Sequence, residues 1–584
     1  MKRRSFLKLA GGGTLTPLLL QNSSFVHAKA SKIKTGIRDM QIDEQMLENR
    51  NQNRSTVVCQ NGIVCTSQPL ASMAGIDILK AGGNAIDAAI GANAVLGVVE
   101  PMSCGLGGDL FAIVWIAKEK KLFGLNASGR SPYEWSIAKA KSLGLKEIPV
   151  FGPLSWSVPG CVSGWDALSE KFGKVDFSKL METAILYARN GFPVSPIIAE
   201  NWQGGINNNS HPSLIRVFAP NGAPRFGDIF KNQEMASSFE LLVRDGPQSF
   251  YHGEIADKIV RFSQENGGLF SKRDFEEHRV SWVDPVSSNY RGYDVWELPP
   301  NGQGIATLQI LNILEYFDIA SLKPNSAEHL HLFIEAKKLA FEDRAVYYAD
   351  MDFADVPLDW LISKQYGRNR AKLINTKRAA QRVTAGKLER SSDTIYLTAA
   401  DKHGNMVSLI QSTYYGFGSK MVPDGLGFTL QNRGSLFSLN ENHRNKLEPH
   451  KRPFHTIIPG FVTKNQQPYF SFGVMGGDFQ PQGHAQVLMN LIDFKMSPQQ
   501  VGEQPRVAHS GSSTPTGSNM KDGGTVILEH HISQVTKENL MMLGHNIAPH
   551  VSAHGGYQGI LRENAPLRYF GGSDPRKDGC AFGY

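Results

Sequence analysis

Cysteine is scarce: five residues in 584, at Cys59, Cys65, Cys104, Cys161 and Cys580. An odd number at irregular spacing fits neither a disulfide framework nor a thiolate zinc site. Cys59 and Cys65 could pair in an oxidising compartment, but nothing demands it. Histidine supplies no obvious metal cluster. His329 and His331 stand two apart and diverge on the helix that Leu332, Ala336 and Leu339 imply, and His530-His531 stands alone, so neither metal nor cofactor is expected. Past residue 30 no stretch approaches the ~18 uninterrupted apolar residues of a spanning helix. No 20–50-residue period repeats, which excludes a solenoid. The glycine-rich run at 104–109 lacks the strand before and helix after that a dinucleotide or phosphate loop requires, and reads as close backbone packing or part of a site wall.

Acidic residues are also missing from the first thirty positions, where Lys2, Arg3, Arg4, Lys8 and Lys29 are all positive. Twin arginines precede a short apolar stretch at 6–20, and Ala28-Lys29-Ala30 fits a small-x-small cleavage site. The expectation is a twin-arginine signal peptide over 1–30 and a periplasmic or secreted protein. Those five charges account for most of the net +7, leaving +2 for a chain starting near Ser31. The hint of a polyanionic partner such as nucleic acid therefore fades. What remains, 41% hydrophobic and 20% charged, is a soluble globular composition that excludes disorder, collagen and a disulfide-stapled miniprotein.

Along the chain, 71–99 reads as two helices: Gly82-Gly83 stops the first, and Asn84 caps the second with Asp87 three residues on. A further helical block spans about 326–345. The polar, basic stretch 376–393 reads as a mobile linker, and directly after it the pattern alternates from Thr394, turns at 401–405 and returns over 406–412 as a hairpin. A threonine opening a buried strand after a flexible segment has an available chemistry. Its hydroxyl can attack the Asp393 carbonyl, giving an ester that water cleaves. The freed α-amine, with a reference pKa of ~7.7–8.0, can then accept the hydroxyl proton, so one residue serves as nucleophile and base. Spacing by itself favours the plainer reading, an ordinary strand threonine.

The stretch TIYLTAADKHGNMVSLIQST (394–413) resembles the start of the small subunit of the γ-glutamyltransferase family, a threonine nucleophile followed seven residues later by Asp-x-x-Gly-Asn. The likeness extends, in family order, through AGGNAIDAAIGANAVLGVVEP (81–101), CGLGGDLF (104–111), VPGCVSGW (158–165), LPPNGQGIATLQILNILE (298–315), EAKKLAFEDRA (335–345), KRPFHTIIPG (451–460) and MGGDFQPQG (475–483). The resemblance implies an N-terminal-nucleophile hydrolase: an α+β, four-layer αββα sandwich, autocleaved between Asp393 and Thr394 into a large subunit (31–393) and a small subunit (394–584) that stay one domain. It implies that Thr394 is the nucleophile and that Ser412 keeps a hydroxyl near its amine. Gly476 and Gly477 would hold the oxyanion, with donors worth ~2.7–4 kcal/mol each. Arg130 would grip the donor's α-carboxylate through its planar fork. The partner is a small-molecule amide or peptide.

The sequence departs from that pattern where the family holds the donor's α-ammonium. The three positions are occupied by Tyr414, Arg433 and Leu436, and the acceptor set is gone. A guanidinium within ~4 Å of an ammonium costs about 4 kcal/mol at an effective dielectric near 20, so Arg433, if it points inward, disfavours an α-amino donor. His455 and Thr456 replace the pair of serines beside the carboxylate, and the stretch between 437 and 451 is too short for the lid loop of many members. Two activities stay open: cleavage of γ-glutamyl amides such as glutathione, or of glutaryl-type ω-carboxyacyl amides as in the family's cephalosporin-acylase branch, with Arg130 or Arg433 on the terminal carboxylate. A non-catalytic exported binding protein would have lost the nucleophile or the oxyanion glycines, and Thr394, Gly476 and Gly477 are all present.

Overall fold

The hairpin expected at 394–412 forms the centre of the molecule. Strand Asp393–Asp401 runs into strand Met406–Tyr414 through a turn in which Asp401 accepts the N–H groups of His403 (2.8 Å) and Asn405 (3.2 Å). Gly404 takes the positive φ, +88°, that the turn needs. The second Asp401 oxygen caps the helix behind it by accepting the Ala85 N–H at 3.0 Å. The Asp-x-x-Gly-Asn pattern thus closes the hairpin and docks it on a helix.

In this computed structural model the described residues are 54–207, 210–384, 393–549 and 554–584, with Asp393, Thr394 and Ile395 described for their backbone alone. The expected signal segment lies outside them. Two seven-stranded antiparallel sheets face each other. The first runs Cys580–Gly583, Gly62–Thr66, Asp393–Asp401, Met406–Tyr414, Asp109–Ile116, Lys121–Ala127, Ser281–Val283. The second runs Val57–Cys59, Leu567–Ser573, Gly556–Asn564, Gln467–Met475, Gly460–Lys464, Tyr293–Glu297, Val286–Tyr290.

Period-two alternation sorts the hairpin's side chains between layers. Tyr396 and Ala400 enter the core between the sheets with Phe111, Ile410, Phe461 and Ile560. Thr398 joins them there, its Oγ1 2.8 Å from the Ser471 hydroxyl of the facing sheet. Leu397 and Ala399 point the other way, into the core shared with helices Pro69–Lys80 and Ala85–Val99. Asn84 and Asp87 cap the second of these reciprocally, as the sequence suggests. Helices Ile305–Leu314, Gln480–Ile492 and Pro498–Glu503 cover the other sheet. The result is a four-layer αββα sandwich of the α+β class.

All five cysteines are free, so the pairing left open for Cys59 and Cys65 is not made. One expectation needs correction. The start of the stretch read as a mobile linker is anchored: Ala379 is buried and donates to the Leu543 carbonyl at 2.7 Å, and Gln381 donates to the Gly544 carbonyl at 2.9 Å. These small and polar residues find partners far along the chain, which local composition does not reveal. Residues 385–392 lie outside the described set. No helix among the described residues is long and apolar enough to cross a membrane.

Candidate active site

The backbone of Thr394 lies where the central hairpin shifts register: Asp393 stands opposite Tyr414 and Ile395 opposite Gln411. The facing end of the second strand is held by the glycine-rich loop. Gly105 donates to Gln411 Oε1 (3.1 Å) and accepts from Gln411 Nε2 (2.7 Å), and the Gly107 carbonyl accepts the Gln431 N–H at 2.9 Å. A Cβ on Gly107 would collide with the Thr429 carbonyl, and one on Gly108 with Ser412. Close backbone packing is therefore the loop's role. Just past it Tyr414 holds φ near +84°, a left-handed conformation uncommon outside glycine, and donates its N–H to Ser412 Oγ at 2.8 Å.

Arg433 opens a short 3-10 turn, Arg433–Leu436, and is fully buried. Its guanidinium lies 4.5 Å from the centre of the Tyr414 ring and donates to Thr456 Oγ1, while its Nε and second terminal nitrogen have no hydrogen-bond partner among the described residues. Burial lowers its pKa to about 10, against the pull of Tyr414, Asp109 and Asp478, so it stays cationic at neutral pH.

Beside it Asp109 accepts the Gly129 N–H (3.0 Å) and Gly160 N–H (3.1 Å) on one oxygen and lies 2.9 Å from His455 Nε2 on the other. His455 Nδ1 accepts the Ile457 N–H at 3.3 Å, which assigns the ring proton to Nε2. Burial holds the imidazole well below its usual range, and Arg433 and Arg452 add to that. Burial also pushes Asp109 up to about 7, with Arg433 opposing. The contact is thus a hydrogen bond from a neutral imidazole, not an ion pair.

Gly476 and Gly477 form the bend between strand Gln467–Met475 and helix Gln480–Ile492, with φ of +123° and +55°. Gln303 bridges this bend to the arginine's neighbour, donating to the carbonyls of Gly477 (2.8 Å) and Thr456 (2.7 Å). Arg344, buried in helix Ala327–Tyr347, donates to Gln303 Oε1 (2.6 Å) and Asp478 Oδ1 (2.7 Å). A cavity of about 310 Å³ opens alongside, walled by Tyr414, Tyr415, Leu436, Phe437, Phe454 and Asp478 and bounded by 514–518.

Residues 71–584 match the gamma-glutamyltranspeptidase family. The chain belongs to that family. It is 37% identical over 537 residues to the glutathione hydrolase-like YwrD proenzyme of Bacillus subtilis (strain 168), spanning 90% of this chain and 99% of that protein. It is 31% identical over 510 residues to the acylase ACY 1 proenzyme of Pseudomonas sp. (strain SE83), spanning 85% and 89%. Among solved structures it resembles the cephalosporin acylase from Bacillus halodurans, with a TM-score of 0.84, 40% identity, and 91% and 97% of the two chains covered. The protein is thus an enzyme of the gamma-glutamyltranspeptidase type, an N-terminal-nucleophile hydrolase.

Of the residues singled out in the sequence, the fold gathers Tyr414, Arg433, His455 and Thr456 into one buried cluster, places Ser412 against Tyr414, and ties Gly477 to Thr456 through Gln303. Leu436 lines the cavity. Arg130, expected to grip the donor carboxylate, pairs its guanidinium with Asp350 (3.2 Å) and Asp352 (2.9 Å) and donates to the His450 carbonyl. Two residues earlier, the buried Ser128 donates to Asn126 Oδ1 at 2.7 Å and accepts from Asn301 at 3.2 Å.

Asp109, Gln303, Arg344 and Asp478 were not among the site residues expected from the sequence. All four sit inside segments that carry the family resemblance, the one signal that could have raised them. The short stretch after Phe437 folds on itself, Ser438 bonding Asn445 and Leu447 (both 2.9 Å), with Phe437 and Leu447 packed against Trp135.

Proposed function

We propose that the protein cleaves itself between Asp393 and Thr394 and then hydrolyses amides of ω-carboxyacyl groups that lack an α-amine, such as glutaryl amides. The observation that carries the acyl preference is Arg433: a buried, charged guanidinium with two nitrogens that find no partner among the described residues, against Tyr414, which lines the cavity and stands opposite Asp393. Buried cations are ordinarily paired, and a carboxylate is the partner a planar fork fits best. Arg130, the other candidate, already has two carboxylates.

In this reading the Thr394 α-amine takes the hydroxyl proton as Oγ1 attacks the amide carbonyl. The N–H groups of Gly476 and Gly477 receive the oxyanion. In support, neither N–H finds an acceptor in a turn or loop among the described residues, and the bend leads into a helix N-terminus, where the dipole favours negative charge. The proton passes to the leaving amine, giving an acyl-threonine ester. Water then attacks that ester, losing its proton to the α-amine and releasing the acid and the free threonine. Ser412 supports the threonine amine, Tyr414 and Thr456 orient Arg433, and His455 buttresses the pocket through Asp109.

The relatives named as proenzymes support self-cleavage, and those named as acylases support the acyl group. Export by the twin-arginine route belongs to the same proposal and rests on the charge pattern of residues 1–30 alone. γ-Glutamyl donors are the second reading. Asp478 lines the cavity and could receive an α-ammonium, but Arg344 already takes one of its oxygens.

The test is a side-by-side measurement of kcat/KM on glutaryl and γ-glutamyl anilides with the processed enzyme. The glutaryl compound is expected to win by at least roughly tenfold, given the repulsion between Arg433 and an α-ammonium. A clear preference for the γ-glutamyl compound overturns the assignment.

A further inference from the structure

Outside the catalytic cluster, three buried residues far apart in sequence converge: His331, Glu335 and His545, whose nearest ligand atoms all lie within 4.8 Å of one another. Helix Ala327–Tyr347 presents His331 and Glu335 one turn apart on the same face. His545 follows the end of helix Gln534–Met542, where its N–H caps the Leu540 carbonyl at 3.1 Å. From these ligands we infer a binding site for a late first-row divalent ion, Zn²⁺ by chemistry, held by two imidazoles and one carboxylate with water in the fourth position.

The donor set selects the ion. Two imidazole nitrogens with one carboxylate suit zinc, whereas magnesium and calcium call for oxygen ligands throughout. The surroundings orient the ligands as in established metal sites. His331 Nε2 donates to the Asn375 carbonyl at 2.8 Å, which fixes the tautomer and leaves the Nδ1 lone pair facing His545 Nε2, 2.8 Å away. A backbone carbonyl behind a ligating histidine is the usual outer-shell partner. Lys338 occupies Glu335 Oε1 (2.8 Å) and the Ala380 carbonyl (2.9 Å), so Oε2, which accepts the Ala380 N–H at 3.1 Å, keeps a lone pair for the ion.

Binding exchanges the N–H···N bond between the rings for two N–metal bonds. The proton on His545 Nε2 moves to its Nδ1, so the imidazoles release no net charge. With Zn–N of ~2.0–2.1 Å the two nitrogens separate to about 3.3 Å, a side-chain shift of roughly 0.5 Å.

The position gives the site a purpose. His331, Glu335 and the anchoring Asn375 and Ala380 precede the Asp393–Thr394 bond, and His545 follows it. If the chain is cut there, as proposed above, the ion joins the two products and clamps the tail leading to the cut end. The site itself does not depend on that cut.

Full-length protein stripped with a chelator and titrated with Co²⁺ tests this directly. The expected result is one Co²⁺ per chain with visible ligand-field bands, displaced by Zn²⁺, and a melting temperature that rises with Zn²⁺. His545→Ala and the near-isosteric Glu335→Gln should each weaken binding at least ~10-fold. The uncut Thr394→Ala precursor should bind as wild type does, which separates this inference from the cleavage reading. Absence of ligand-field bands in the wild type, or Co²⁺ affinity unchanged in a folded His545→Ala or Glu335→Gln protein, would overturn it.

Discussion

Arg433 shows how much one side chain decides. A guanidinium fully out of water, still cationic, and hydrogen-bonded among the described residues through one nitrogen to Thr456 is, in the proposed function, the arrangement that a substrate carboxylate completes. Replacing it with leucine removes a charge-assisted contact worth about 1.5–3 kcal/mol, so KM for a glutaryl anilide should rise on the order of 10- to 100-fold while self-cleavage persists. Arg130→Ala should move KM far less, because that guanidinium is only 15% exposed and held by Asp350 and Asp352. Steady-state kinetics on the two variants decides between them: a larger KM effect from Arg130→Ala would return the carboxylate to Arg130.

At the scale of elements, the glycine-rich loop and the hairpin depend on each other. The loop exists to let the chain approach the strand end, and its Gly107 carbonyl holds Gln431, two residues before Arg433. Gly107→Ala should therefore cost about 1–3 kcal/mol of stability through overpacking, and should also impair turnover by displacing the Arg433 turn. Urea unfolding and initial rates measure the two effects. Loss of stability with undiminished kcat/KM would show that the loop does not position the site. The helices and the hairpin were legible in advance because caps, turns and alternation are local signals: Asn84 with Asp87 and Asp401 with Gly404 each act within four residues.

At the scale of the molecule, the segments on either side of Asp393–Thr394 are interleaved. Strand Gly62–Thr66 lies between Cys580–Gly583 and Asp393–Asp401, and Tyr293–Glu297 pairs with Gly460–Lys464 in the other sheet. The cleavage proposed there leaves two chains that share both sheets and their common core. Wild-type protein should give two bands on denaturing electrophoresis and one peak on native size exclusion, whereas Thr394→Ala should give one uncut band and no turnover. An uncut wild type with full activity would remove Thr394 from the mechanism.

The sequence by itself determined the hydrolase family, the α+β class, the hairpin that opens near Thr394, and the glycines at 476 and 477. Each is carried by residues close together in the chain or by motifs that recur in order. Only the tertiary structure decided which arginine is buried, that Asp109 stands against His455, and that His331 meets His545. Those outcomes depend on pairings between residues hundreds of positions apart, such as the 346 between Asp109 and His455 and the 214 between the two histidines. Burial then sets their charge, and burial is a property of the packed molecule.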